Sequence, residues 1–174
     1  MDSVNAPPGA DLIDSVVGLT PGTALYATRH GREKVAKATQ RSYELFFDAA
    51  AGQPAIEERL LVAYYACVLS QAPGLARHYR DALAQNNADA GLVGCVERNQ
   101  PERMPSARLK ALLAFTRKLI EKPVEGDQAA VHALQAAGVS TPDIVALAQL
   151  IAFLSYQIRL AAGLQAMKAL ESQP

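Results

Sequence analysis

The chain has 174 residues, half hydrophobic and a fifth charged, a balance that suits one globular domain with a substantial apolar core. Seventeen basic residues match seventeen acidic ones, so no long-range field gathers DNA, RNA or anionic lipid, and those partners are not expected. Two cysteines make no disulfide framework, residues 1–14 lack the plan of a signal peptide, and the longest apolar stretch, 144–154, is interrupted by Gln149 and too short for a bilayer; a cytoplasmic protein without a membrane partner is expected.

Residues 1–9, with Pro7, Pro8 and Gly9, are expected to fray. Residues 11–17 read as a short helix closed by Gly18, and Gly18-Leu19-Thr20-Pro21-Gly22 as a turn. One amphipathic helix is expected from about 28 to 50. Val35, Ala38, Tyr43, Leu45, Phe46 and Phe47 are its apolar residues, and Gly52 and Pro54 stop it. Residues 55–70 follow as a helix that opens on Glu57 and Glu58, which suit the positive end of a helix dipole. It then runs apolar on every side, the mark of a helix buried on every side. Pro73 and Gly74 break it, and 75–85 forms a partner helix carrying His78 and Tyr79. The polar stretch 91–105, with Gly94, Pro101 and Pro105, reads as an internal linker of a single domain.

Beyond it, 106–120 is amphipathic, and 127–137 is a short helix ending at Gly138. Thr141-Pro142-Asp143 starts a last helix that reaches about residue 170: a capping hydroxyl, a proline at the first helical position and an acid in the first turn. No segment alternates with a period of two between turn residues, so the fold is expected to be all-α.

Three phrases, in their order and spacing, carry a likeness. They are Glu58-Arg59-Leu60-Leu61-Val62-Ala63 leading to His78-Tyr79-Arg80, the run from Asp127 through Leu134 and Gly138 to Ile144, and Ala152-Phe153-Leu154-Ser155-Tyr156-Gln157-Ile158-Arg159. Together they resemble the carboxymuconolactone decarboxylase family, in its alkylhydroperoxidase-like branch. The opening phrases Asp11-Leu12-Ile13-Asp14 and Gly18-Leu19-Thr20-Pro21-Gly22-Thr23 resemble one subgroup, so the likeness covers most of the chain. It implies an alkylhydroperoxidase-like helical bundle and a homo-oligomer. The last helix is apolar around nearly its whole circumference and cannot easily share one centre with the equally apolar 55–69, so a two-fold dimer is expected as the minimal unit, with that helix in its interface.

The family's peroxidases use a glutamate, a Cys-x-x-Cys pair and a histidine on the next helix: one thiolate attacks peroxide, the second resolves the sulfenic acid, and the other groups relay the proton. With His78 as the family histidine, the cysteine positions fall on Gln71 and Gly74; with Glu58 as the family glutamate, they fall on Ser70 and Pro73. Neither register holds a cysteine, so the two-cysteine cycle is not expected.

The remaining candidates each have two readings. Cys67 is either a one-cysteine site borrowing His78 or a small buried hydrophobe. Glu58 shares its helix side with Leu61, Val62 and Tyr65, and serves either as a general base or as a favourable helix start. His78 and Tyr79 either line a pocket or satisfy a core. Arg159 is either a carboxylate-binding group in a buried pocket or half of an ion pair. His30 and His132 have no neighbours at metal-ligand spacing, and neither metal nor cofactor is expected. Three functions stand against one another: an acid–base pocket using Glu58 and His78 on a small organic substrate, a non-catalytic assembly or binding partner of an active family paralogue, and residual one-cysteine peroxidase activity through Cys67.

Overall fold

The computed structural model describes residues 11–52 and 54–171; the expected fraying of 1–9 lies outside them. Among the described residues there are α-helices and 3-10 turns and no strand, so the fold is all-α. The helices are α1 (Leu12–Val17), α2 (Ala24–His30), α3 (Glu33–Phe46), α4 (Ile56–Leu69), α5 (Pro73–Gln85), α6 (Ala90–Glu97), α7 (Ala107–Glu121), α8 (Gln128–Ala136) and α9 (Thr141–Glu171).

Local chemistry sets most boundaries. Asp11 caps α1 by accepting from the Asp14 N–H, and Gly18 ends it at φ 69°, a left-handed conformation that costs glycine little. Thr23, Asp89, Ser106 and Asp127 cap α2, α6, α7 and α8 in the same manner. The stretch expected as one helix over 28–50 is two. The break falls at Gly31 and Arg32, where Arg32 leaves helical geometry at φ −111°, ψ 68°. The hydroxyl that caps α9 is Ser140's, accepting from the Asp143 N–H at 3.3 Å, and not Thr141's.

The stretch 91–105 is not a linker. It holds α6 and a 3-10 turn over Pro101–Arg103, and it buries Val96 and Met104. Gly94 and Pro101 serve packing. A Cβ on Gly94 would come within 3.1 Å of the Arg98 guanidinium, and Pro101 sits in the first turn of its 3-10 helix, where it loses no hydrogen bond.

α4 is the centre. It buries every residue from Arg59 to Cys67 and packs against α5, α6, α7 and α9. α9 lies beside it with one face in the core: Ile144, Leu147, Leu150, Ile151, Leu154 and Ile158 are buried, and Val145, Tyr156, Met167 and Leu170 on other sides are exposed. By length and composition α9 could cross a membrane, with mean hydropathy 1.6 over its most apolar 18 residues. Here it packs against α1, α4, α7 and α8.

Candidate functional site

The positions that the family likeness assigns to cysteines lie in the turn between α4 and α5. Gln71 adopts a left-handed φ of 52°, and a Cβ on Gly74 would sit 2.8 Å from Val16 Cγ1. Ser70 caps the C-terminus of α4 and Pro73 opens α5. Ser70, Gln71, Gly74, Val16, Ile158 and Gln165 enclose a cavity of about 60 Å³, room for a few waters and too small for an organic substrate. Cys67 is fully buried nearby, and that burial pushes its thiol far above the usual range. A thiol held neutral is neither a nucleophile nor a proton donor to peroxide chemistry at neutral pH. This geometry matches the small buried hydrophobe of the two readings.

Glu58 is engaged on both oxygens. Arg108 of α7 donates from Nε to Oε1 at 2.7 Å and from Nη2 to Oε2 at 3.0 Å. The Ala55 N–H at the start of α4 also donates to Oε2, at 3.1 Å. The same Arg108 Nη2 reaches Asp143 Oδ2 at 3.3 Å, and Nη1 reaches the Gly138 carbonyl at 3.3 Å. The guanidinium thus ties α4 to the start of α9, and the hydrogen bonds that it donates to the Glu58 carboxylate raise its pKa. Arg108 was not singled out in the sequence, and Asp143 was read only as the first-turn acid of the last helix. An arginine 50 positions from its glutamate leaves no local signal.

His78 is half-buried on α5. Its Nε2 meets the Tyr43 hydroxyl of α3 at 2.9 Å, and burial holds its pKa below the ordinary histidine value, against the pull of Asp81. Burial likewise raises the Tyr43 phenol. A neutral imidazole beside a neutral phenol is the stable pairing here. Tyr79 does not line an open pocket. It is fully buried and donates to Gln157 Oε1 of α9 at 2.7 Å, which satisfies two deep polar groups at once. Phe47 packs on the Tyr79 ring and Phe46 on Phe153, so an aromatic wall surrounds the pair. Tyr43 and Gln157 are the partners that sequence reasoning missed.

No hydrogen bond joins Glu58 to His78 among the described residues; each has its own partners on separate elements. Arg159 is exposed on α9, not in a buried pocket, and no ion pair holds it among the described residues. His30, read only as lacking neighbours at metal-ligand spacing, meets Asp14 Oδ2 through Nε2 at 2.7 Å and staples α2 to α1. A surface groove of about 460 Å³ beside α7, lined by Lys110, Arg117, Lys118 and Glu121 among others, contains none of the predicted site residues.

Four of the side chains that α9 turns to solvent, Val145, Tyr156, Met167 and Leu170, are large and apolar in bulk. α3 meets the same helix at two points, Thr39 to Tyr156 and Phe46 to Phe153, and it exposes Val35 and Leu45. Comparison with known proteins finds no family model that matches the chain and no curated protein that matches it.

Proposed function

We propose that this chain is an alkylhydroperoxidase-like bundle of the carboxymuconolactone decarboxylase type that has given up thiol peroxidase chemistry and acts as an assembly component, binding a second copy of itself. The observation that carries the reading is the apolar exposure of α9 and α3. Val145, Tyr156, Met167, Leu170, Val35 and Leu45 are all more than two-fifths exposed, on two adjoining helices. A two-fold arrangement covers such a face most simply, because one self-complementary patch serves both copies. A stable interface of this kind buries roughly 2,000 Å² or more. A related active paralogue is the other partner such a face accepts.

The test is light scattering across micromolar concentrations with Val145→Asp and Met167→Asp. Both positions are exposed in the monomer, so the variants keep their helical circular dichroism. Dimers in the parent and monomers in the variants support the reading, and a monomeric parent overturns it.

A second reading rests on the Tyr43–His78 pair. A half-buried imidazole held neutral against a phenol suits proton transfer to or from a small organic substrate, with Tyr43 in the place that Glu58 was expected to fill. Deuterium exchange at activated C–H bonds of a panel of small oxo acids reads it by NMR. Loss of a measurable rate by about 10²-fold in His78→Gln, with Glu58→Gln unaffected, supports it. Equal rates in parent and His78→Gln overturn it.

A further inference from the structure

α3 is held less by burial than α4 is. α4 buries an unbroken run from Arg59 to Cys67, whereas α3 buries Ala36 and Thr39 alone. Its C-terminal end is clamped: Arg59, itself buried, donates from Nη1 to the Phe46 carbonyl at 2.6 Å and from Nη2 to the Asp48 carbonyl at 2.9 Å. Its N-terminal end has no side-chain cap and follows the irregular Arg32. Between the two ends, polar pins fasten it to the body. Gln40 Oε1 accepts from the Leu12 N–H at 2.9 Å, the Tyr43 hydroxyl meets His78, and Thr39 Oγ1 meets the Tyr156 hydroxyl at 3.0 Å. Thr39 already donates to the Val35 carbonyl, so Tyr156 is the donor in the last pair. Thr39 stands seven residues from the clamp, about 10 Å along the axis, and Tyr43 three residues, about 4.5 Å.

We infer that α3 is a lever: it pivots at the Arg59 clamp, the Thr39–Tyr156 hydrogen bond latches it, and its swing withdraws Tyr43 and uncovers His78 Nε2. The geometry gives the latch the longer arm. On these arms a rotation that carries Thr39 about 2.5 Å from Tyr156 moves Tyr43 by about 1 Å, enough to break a 2.9 Å hydrogen bond, whose strength falls steeply with distance. Tyr156 is itself 41% exposed, so water reaches the latch and competes for it. What the swing uncovers is an imidazole set edge-on to the Tyr79 ring, which in turn meets Phe47, a site for a small planar molecule that offers a hydrogen-bonding oxygen. Tyr156 also lies in the proposed self-association face, so regulation of the latch by a second copy rests on that reading. The lever does not, and it is tested on protein kept monomeric by Met167→Asp.

Two measurements test it. In native hydrogen exchange, the α3 amides open locally, at least tenfold faster than the amides of α4. In carbethoxylation by diethyl pyrocarbonate, followed by peptide mass, Thr39→Val and Tyr156→Phe each speed modification of His78 threefold or more, while the exposed His132 keeps its rate as an internal reference. Neither substitution touches His78, so a faster reaction reports access. Exchange of α3 in step with α4 overturns the lever, as does an unchanged His78 rate in both variants.

Discussion

The Tyr43 hydroxyl and His78 Nε2 stand 2.9 Å apart, although 35 positions separate the two residues in the chain. This contact joins α3 to α5, and burial at the same place holds the imidazole pKa below its ordinary value. Its pH consequence has a definite sign. Burial depresses the pKa of His78 in the folded state, so the unfolded chain binds the proton more tightly. The contribution of His78 to stability is therefore fully present above the unfolded value of about 6.5 and is lost as pH falls below it. Urea denaturation at pH 7.5 and pH 5.5 should show the parent losing more stability than His78→Gln over that interval. Equal losses would show that His78 protonates freely in the fold.

Arg108 is a structural tie, and its removal should be felt in stability. Arg108→Ala leaves Glu58 and Asp143, each with a side chain about one-seventh exposed, without their shared cation. The expected cost is about 2 kcal/mol, below that of a fully buried pair because water reaches the site. Arg108→Lys should recover less than half of it, since an ammonium cannot hold two carboxylates in a planar fork. Chemical denaturation measures both, and a neutral Arg108→Ala would remove the tie from the account.

Cys67 should behave as core. Native protein should yield at most the Cys95 thiol to an aromatic disulfide reagent, and both thiols only after unfolding. Peroxide consumption with dithiol reductants should stay at background. A robust rate lost in Cys67→Ser would reverse this assignment.

Placing cysteines at the positions that the family likeness assigns should not build a peroxidase site. Gly74→Cys brings its Cβ to 2.8 Å from Val16 Cγ1. Gly74→Ala alone should cost about 1–3 kcal/mol through overpacking. Val16→Ala should offset part of that cost in the double variant, and a thermal melt of the four proteins in this cycle reads the coupling. Additive effects would mean that the turn relaxes around the added methyl group.

α4 and α9 illustrate how far periodicity goes. Both are apolar nearly all round, and both were expected as helices that need burial. Only packing decided that α4 takes the centre and that α9 keeps an open face at Val145, Tyr156, Met167 and Leu170. The turn residues misled in one place: Gly94 and Pro101 read as a linker because the same residue types serve loops and tight packing.

By itself the sequence determined what acts over a few residues. Helical periodicity, the aspartate and serine caps and the glycine stops are local, because each satisfies a backbone group within one turn. The absence of cysteine from both candidate registers is likewise a fact of composition, and no fold can reverse it. Only the tertiary structure decided where the polar side chains end. Glu58 met Arg108 and His78 met Tyr43 because the packing of helices remote in sequence brought them within hydrogen-bond reach. Arg159 was left to solvent because the buried face of α9 was already filled by its apolar neighbours and Gln157, and a charge loses hydration wherever no partner waits.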